Sequence, residues 1–131
     1  MKFLLDTHVW LWWNSEPSKL SQATLEVIAE TENEVFLSSA SVWEMAIKTR
    51  IGKLPLPEPV DTYVRSRTQQ DSIRELPILH SHAAAVETLP LLHNDPFDRL
   101  LIAQCWIEDL VLLTVDDKVL AYTRNIVDAR L

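Results

Sequence analysis

The sequence predicts an α/β protein built on a central parallel sheet of about four to five strands, with helices on both faces. Three observations carry that expectation. The apolar runs KFLL (2–5), EVFLSS (34–39) and LVLLTV (110–115) are each about a strand long. None alternates apolar with polar residues, so each suits a strand buried on both faces. Longer segments with helical apolar spacing separate them, and strands alternating with helices imply parallel pairing with covered faces. The 131 residues, 47% of them hydrophobic, can fill one core, and a single domain over 1–131 is expected.

After the first strand, THVWLWW starts a helix with Asp6 or Thr7 at its cap. Ser21 is placed to cap a second helix, whose Leu25, Ile28 and Ala29 share one face. The strand at 34–39 leads into SASVWEMAIKTRIGKL, where Val42, Ala46 and Ile47, with Ile51 one turn on, form a helical stripe. Gly52 is placed to end that helix. The three prolines of KLPLPEPV (53–60) make a connection that no helix crosses. A more polar helix follows over 58–72, then a short strand within 73–78. HSHAAAVETLP is a helix stopped before Pro90. Pro96 stands in the first turn of PFDRLLIAQCWIED, where its missing N–H costs nothing. The strand 110–115 runs into Asp116 and Asp117, KVLAYTR reads as a further helix, and a last short strand lies near Ile126 and Val127.

Composition narrows the function. Nineteen acidic against twelve basic side chains give a net charge of −7, which argues against a protein gripping nucleic acid through a broad basic surface. A carboxylate cluster holding divalent cations still meets phosphate, because bound ions set the local charge. With one glycine, Gly52, there is no Walker loop and no dinucleotide fingerprint. One cysteine, Cys105, excludes an internal disulfide and a multi-cysteine zinc site. The start, MKFLLDTHVWLWW, is interrupted by Asp6 and His8, lacks a cleavage pattern and is too short to span a bilayer. A cytoplasmic protein without membrane contact is expected.

The carboxylates fall in a pattern. Asp6 follows the first strand, and Asp116 and Asp117 follow the strand at 110–115. Glu44 lies one turn into the helix after the second strand. Asp95 and Asp98 begin the helix that feeds the third. Ligands of open parallel sheets sit at the strands' carboxyl ends, so these positions bring the acids to one edge. As bare anions they would raise one another's pKa until some took up protons; Mg²⁺ or Mn²⁺, which prefer oxygen ligands, remove that conflict. Such ions, one or two, support in-line displacement at phosphate. His80 and His82 have the wrong spacing for one helix face, and with His93 they are expected as caps or surface residues. Trp10, Trp12, Trp13, Trp43 and Trp106 read as core or interface residues. Lys48, Arg50 and Lys53 suit either a solvated helix end or phosphate contacts beside the acids.

Four runs in order, LLDTHVWLWW, SSASVWEMAIKTRIGKL, LPLLHNDPFDRLLIAQC and LLTVDDKVLAY, resemble PIN-domain proteins, and most of all the VapC-type toxins of bacterial toxin–antitoxin pairs. The resemblance extends from about residue 2 to about residue 122. It implies a compact α/β/α fold of three layers and a metal-dependent endoribonuclease using Mg²⁺ or Mn²⁺. By position, Asp6, Glu44, Asp98 and Asp116 match the family's four acids, as metal ligands and catalytic residues. Asp95, Thr114 and Asp117 are candidates for supporting positions around them. Asp117 doubles the acid after the strand, so the choice of Asp116 rests on the motif. Cys105 stands where alanine is common. The resemblance further implies a cognate antitoxin that blocks the acidic pocket, an RNA substrate, a homodimer, and operator DNA bound only through the antitoxin. The rival reading is a non-catalytic acidic protein that binds a basic peptide partner through its tryptophans.

Overall fold

A computed structural model describes residues 1–131. Five strands, β1 (Lys2–Leu5), β2 (Glu34–Ser38), β3 (Arg74–Leu76), β4 (Val111–Thr114) and β5 (Ile126–Asp128), form one sheet in the order β3-β2-β1-β4-β5. Every pairing is parallel. Seven helices connect and cover them: α1 (Thr7–Ser15), α2 (Gln22–Ala29), α3 (Ser39–Arg50), α4 (Val60–Asp71), α5 (His80–Ala85), α6 (Pro96–Glu108) and α7 (Asp117–Leu120). The expected three-layer arrangement is present. The chain builds outward from β1 to β3, then returns to lay β4 on the other side of β1. The crevice of the sheet therefore lies at the carboxyl ends of β1 and β4.

Two apolar clusters sandwich the sheet, and the strand pleat divides them. Phe3 and Leu5 point into one, with Trp10 of α1, Ile28 of α2, Met45 of α3 and Tyr63 of α4. Leu4 points into the other, with Leu101, Ile102 and Cys105 of α6 and Val119 of α7. The caps fall where expected. Asp6 caps α1 and accepts from Thr7 N at 2.6 Å, and Ser21 caps α2 through Thr24 N at 3.0 Å. Gly52 takes φ +78°, which favours glycine, just beyond the end of α3. No helix is long and apolar enough to cross a membrane.

The structure shows which face of two helices is buried, and it corrects the length of a third. On α2 the buried residues are Thr24 and Ile28, while Ala29 is exposed. On α3 the apolar stripe does not face the core: Ala46, Ile47 and Ile51 are exposed, and Val42 is half-buried. Ser41, Glu44 and Met45 turn inward instead. The apolar spacing marks one face of the helix, but the polar face is the one held against Thr7 at the strand ends. Finally, α7 is a single turn, because Thr123 and Asn125 adopt left-handed backbone (φ 60° and 57°) and break the helix expected through Arg124. Among the tryptophans, Trp10 is wholly buried edge-on to Tyr63, whereas Trp43 is 57% exposed.

These packing assignments carry a direct check by urea denaturation. Leu112→Ala, at a fully buried β4 position, is expected to cost about 2–5 kcal/mol. Ile51→Ser, on the outward stripe, is expected to change stability by no more than about 0.5 kcal/mol.

Candidate metal centre at the carboxyl end of the sheet

The ends of β1 and β4 are joined by a hydroxyl. Asp6, 3% exposed, accepts from Thr7 N with Oδ1 and from the Thr114 hydroxyl with Oδ2, both at 2.6 Å. Thr114 Oγ1 in turn accepts from Asp116 N at 3.1 Å, which fixes where the chain leaves β4. Asp116 caps α7 by accepting from Lys118 N at 2.8 Å. Glu44 reaches the same edge from α3. The Thr7 hydroxyl, 2.9 Å from Ser41 Oγ, donates to Glu44 Oε1 at 2.8 Å, and Lys48 Nζ lies 2.5 Å from Oε2.

The other two acids come from the start of α6, where they divide the work. Asp95 is the cap, accepting from Phe97 N at 2.9 Å and Asp98 N at 3.1 Å. Asp98 is thereby left to turn its carboxylate inward, where Oδ2 lies 2.8 Å from His93 Nε2. The same nitrogen is 3.8 Å from Asp116 Oδ2, and His93, Asp98 and Asp116 each offer a ligand atom within 4.8 Å of the others.

The remaining candidates separate. Asp117 turns out to solvent, 85% exposed, and pairs with Arg130 at 2.7 Å. Arg50 is exposed. Lys53 and Lys48 line a pocket with Thr7, His8 and Glu44. His80 is exposed; His82 is a cap, its Nδ1 accepting from Leu79 N at 3.0 Å, but it is wholly buried and not at the surface. His93 departs furthest from expectation, since it lies in the acidic cluster itself. Helical spacing is the wrong test for it, because it sits in the loop before α6. The only sequence signal is its place five residues before Asp98.

Arg99, beside Asp98, has no carboxylate partner although it is buried. Its guanidinium donates to the carbonyls of Val86, Leu89, Pro90 and His93 and to the Tyr122 hydroxyl, at 2.9–3.4 Å. It thus pins the loop that carries His93.

The electrostatics follow from burial without enough counter-charge. Burial raises the Asp98 carboxyl to about 8, and Asp6, Asp95, Asp116 and Glu44 add to the rise. Burial also raises Asp6, opposed by the bonds from Thr114 and Thr7 and by His8, and reinforced by Glu44. Burial pulls the Lys48 ammonium down, but the hydrogen bond and charge of Glu44, with Asp95 and Asp98, carry it above its ordinary value. Of the four acids, Asp98 and Asp116 stand within ligand distance of one another, while Asp6 and Glu44 lie outside that group and act on Asp98 through charge. Carboxylate oxygens of this kind fit a hard divalent cation such as Mg²⁺ or Mn²⁺.

Two outcomes follow. Asp98 keeps its proton to about pH 8 when folded but loses it near 3.8 when unfolded, so unfolding releases a proton in between. Stability of the metal-free protein therefore falls as pH rises across that window. Asp98→Asn is expected to melt higher than the unsubstituted protein, with a gap that widens from about pH 4 to about pH 8 and then levels, in thermal melts with EDTA. Arg99→Lys replaces a planar fork by a point donor that cannot reach all five oxygens. Its expected cost in urea denaturation is on the order of 2 kcal/mol.

Comparison with known proteins agrees with this architecture. A sequence profile of the PIN domain matches residues 3–125. Ribonuclease VapC22 of Mycobacterium tuberculosis is 34% identical over 101 residues, covering 76% of this chain and 75% of that protein. Ribonuclease VapC16 of the same organism is 41% identical over 61 residues, 47% of this chain. That match spans less than half of the relative, 43% of its length. Among solved structures, VapBC2 from Rickettsia felis bound to a promoter DNA fragment superposes with a TM-score of 0.69 at 17% identity, covering 97% of this chain and 96% of that one. FitAcB from Neisseria gonorrhoeae gives 0.62 at 21% identity, covering 97% of each. The structures share the fold, and the profile covers nearly the whole sequence: the chain belongs to the PIN domain family.

Proposed function

We propose that the protein is a VapC-type toxin, an endoribonuclease dependent on Mg²⁺ or Mn²⁺, held in check by a cognate antitoxin. The observation that carries this reading is the convergence of acids on Asp98, which burial and four neighbouring carboxylates hold protonated to about pH 8. A cation in the cluster relieves that charge. The names of the M. tuberculosis relatives, both ribonucleases, supply the substrate class. The R. felis complex with promoter DNA supplies the analogy for an antitoxin partner and for operator DNA bound through it.

In this reading Asp6, Glu44, Asp98 and Asp116 hold one or two ions. A bound Mg²⁺ or Mn²⁺ supplies Lewis acidity for the attack of water on phosphorus and for the departing oxygen. The chain's own groups set the geometry. Thr7 N and Thr114 fix Asp6, the Thr7 hydroxyl and Lys48 fix Glu44, and Asp95 frees Asp98 from capping. Asp95 and Thr114 are positioning groups, and Asp117 lies outside the arrangement with Arg130. Lys53, beside Lys48 in the adjoining pocket, and Arg50 at the end of α3 are the candidate phosphate contacts. The outward α3 face, with Trp43, Ile47 and Ile51, offers apolar surface to an antitoxin or to a second copy in a homodimer.

The test is incubation of partner-free protein with mixed bacterial RNA in Mg²⁺, in Mn²⁺ and in EDTA, beside Asp6→Asn and Asp98→Asn. Cleavage is expected only with metal, is lost in both variants, and leaves 5′-phosphate and 3′-hydroxyl ends. Cutting that persists in EDTA, or 2′,3′-cyclic phosphate ends, overturns the mechanism.

A further inference from the structure

His93 has no role among the four acids, yet it is the residue that touches Asp98. Its side chain is 9% exposed, with Nε2 2.8 Å from Asp98 Oδ2 and 3.8 Å from Asp116 Oδ2. The opposite ring nitrogen settles its protonation pattern. Asn94 N lies 3.1 Å from Nδ1 and donates to it, so Nδ1 presents a lone pair and the ring hydrogen sits on Nε2. A nitrogen that carries a hydrogen has no lone pair for a cation. It is instead a donor aimed at one oxygen of Asp98.

The support behind His93 does not depend on the acids. Arg99 donates to the carbonyls of Val86, Leu89, Pro90 and His93. The Tyr122 hydroxyl, itself bonded by Arg99, donates to Pro90 O at 2.7 Å and accepts from Leu92 N at 3.2 Å. The segment between α5 and α6, which opens with a single 3-10 turn at Val86–Thr88, is thus tied at six points to α6 and to the residues after α7. Such anchoring holds the imidazole against the repulsion that tends to swing Asp98 away from Asp6, Asp116 and Glu44.

We infer that His93 is a positioning residue for the metal centre: its Nε2–H holds Asp98 Oδ2, which leaves Oδ1 free and correctly aimed for the divalent cation. His93 is therefore an outer partner of the ion and not one of its ligands. Outer-shell donors of this kind fix carboxylate orientation, and their loss weakens metal binding about 10- to 100-fold. The inference rests on the metal-binding reading proposed above and names a determinant that the four-acid motif omits.

The experiment is Mn²⁺ binding to partner-free protein without RNA, at one fixed pH, by calorimetry and pulsed electron paramagnetic resonance. The proteins are the unsubstituted chain, His93→Ala, His93→Gln and Asp98→Asn, each with a thermal melt to confirm folding. His93→Ala is expected to bind about 10- to 100-fold more weakly. His93→Gln, whose amide nitrogen reaches the same place, is expected to recover most of that loss. The Mn²⁺ spectrum of the unsubstituted protein is expected to lack coupling to a directly bound imidazole nitrogen. Unchanged affinity in His93→Ala while Asp98→Asn fails to bind overturns the inference and leaves the metal reading intact. So does a directly coordinated nitrogen that vanishes in His93→Ala, which makes His93 a ligand, or a folded His93→Gln as weak as His93→Ala. Failure of the unsubstituted protein to bind Mn²⁺ at all removes the metal reading itself, and this inference with it.

Discussion

A carboxylate buried at the end of the central strand is the constraint around which the site is arranged. Asp6 must sit where β1 stops, because β1 is the strand at which the sheet order reverses and the crevice opens. A carboxylate in that position loses water and has to be paid back in hydrogen bonds. Its partners are neutral: the first amide of α1 and a hydroxyl of β4. Neutral donors orient Asp6 without cancelling its charge. The charge is thus left for whatever enters the crevice, and the neighbouring acids are felt at full strength.

The same rule governs the surrounding groups. Thr7 serves two acids at once, giving its amide to Asp6 and its hydroxyl to Glu44. Thr114 holds Asp6 and fixes the backbone of Asp116. Lys48 brings an opposite charge on the Glu44 side, and His8 acts on Asp6 by charge alone. A site organised by hydroxyls and amides keeps a large unfavourable self-energy, of which the raised Asp98 carboxyl is the clearest expression. Clusters of groups with strongly shifted pKa values are characteristic of functional sites, where stability is given up for a preorganised geometry.

How much of this could be read beforehand differs by kind of interaction. The strands, the caps at Asp6 and Ser21, the turn at Gly52 and the first-turn Pro96 are local matters, and local sequence states them. The gathering of acids was legible because parallel topology converts strand-end positions into spatial neighbours. Which surface covers which face is not stated locally. The α3 stripe of Val42, Ala46, Ile47 and Ile51 is a genuine helical face, but its periodicity carries no label saying core or solvent. Glu44 was the better guide, since its inward turn drags the opposite face outward. His93 was missed for a related reason: a loop residue has no period, and its place beside Asp98 depends on Arg99 and on a tyrosine 29 positions later.

Helix α6 shows why a pair of acids precedes a greasy segment. A helix start needs its first amides satisfied, and a buried one needs them satisfied by protein. Had Asp98 been the only acid, capping and the crevice would have competed for the same carboxylate. Asp95 takes the capping and leaves Asp98 one turn inside, near the positive end of the helix, free to face the other acids. The remainder of α6 makes that placement rigid. Leu101, Ile102 and Cys105 bury its body, Arg99 fastens the loop in front of it, and Gln104 accepts from Ser38 at 2.5 Å, where β2 passes into the helix that carries Glu44. One helix therefore sets two of the acids directly and a third through Ser38, so a disturbance of its packing should reach the site from both sides at once.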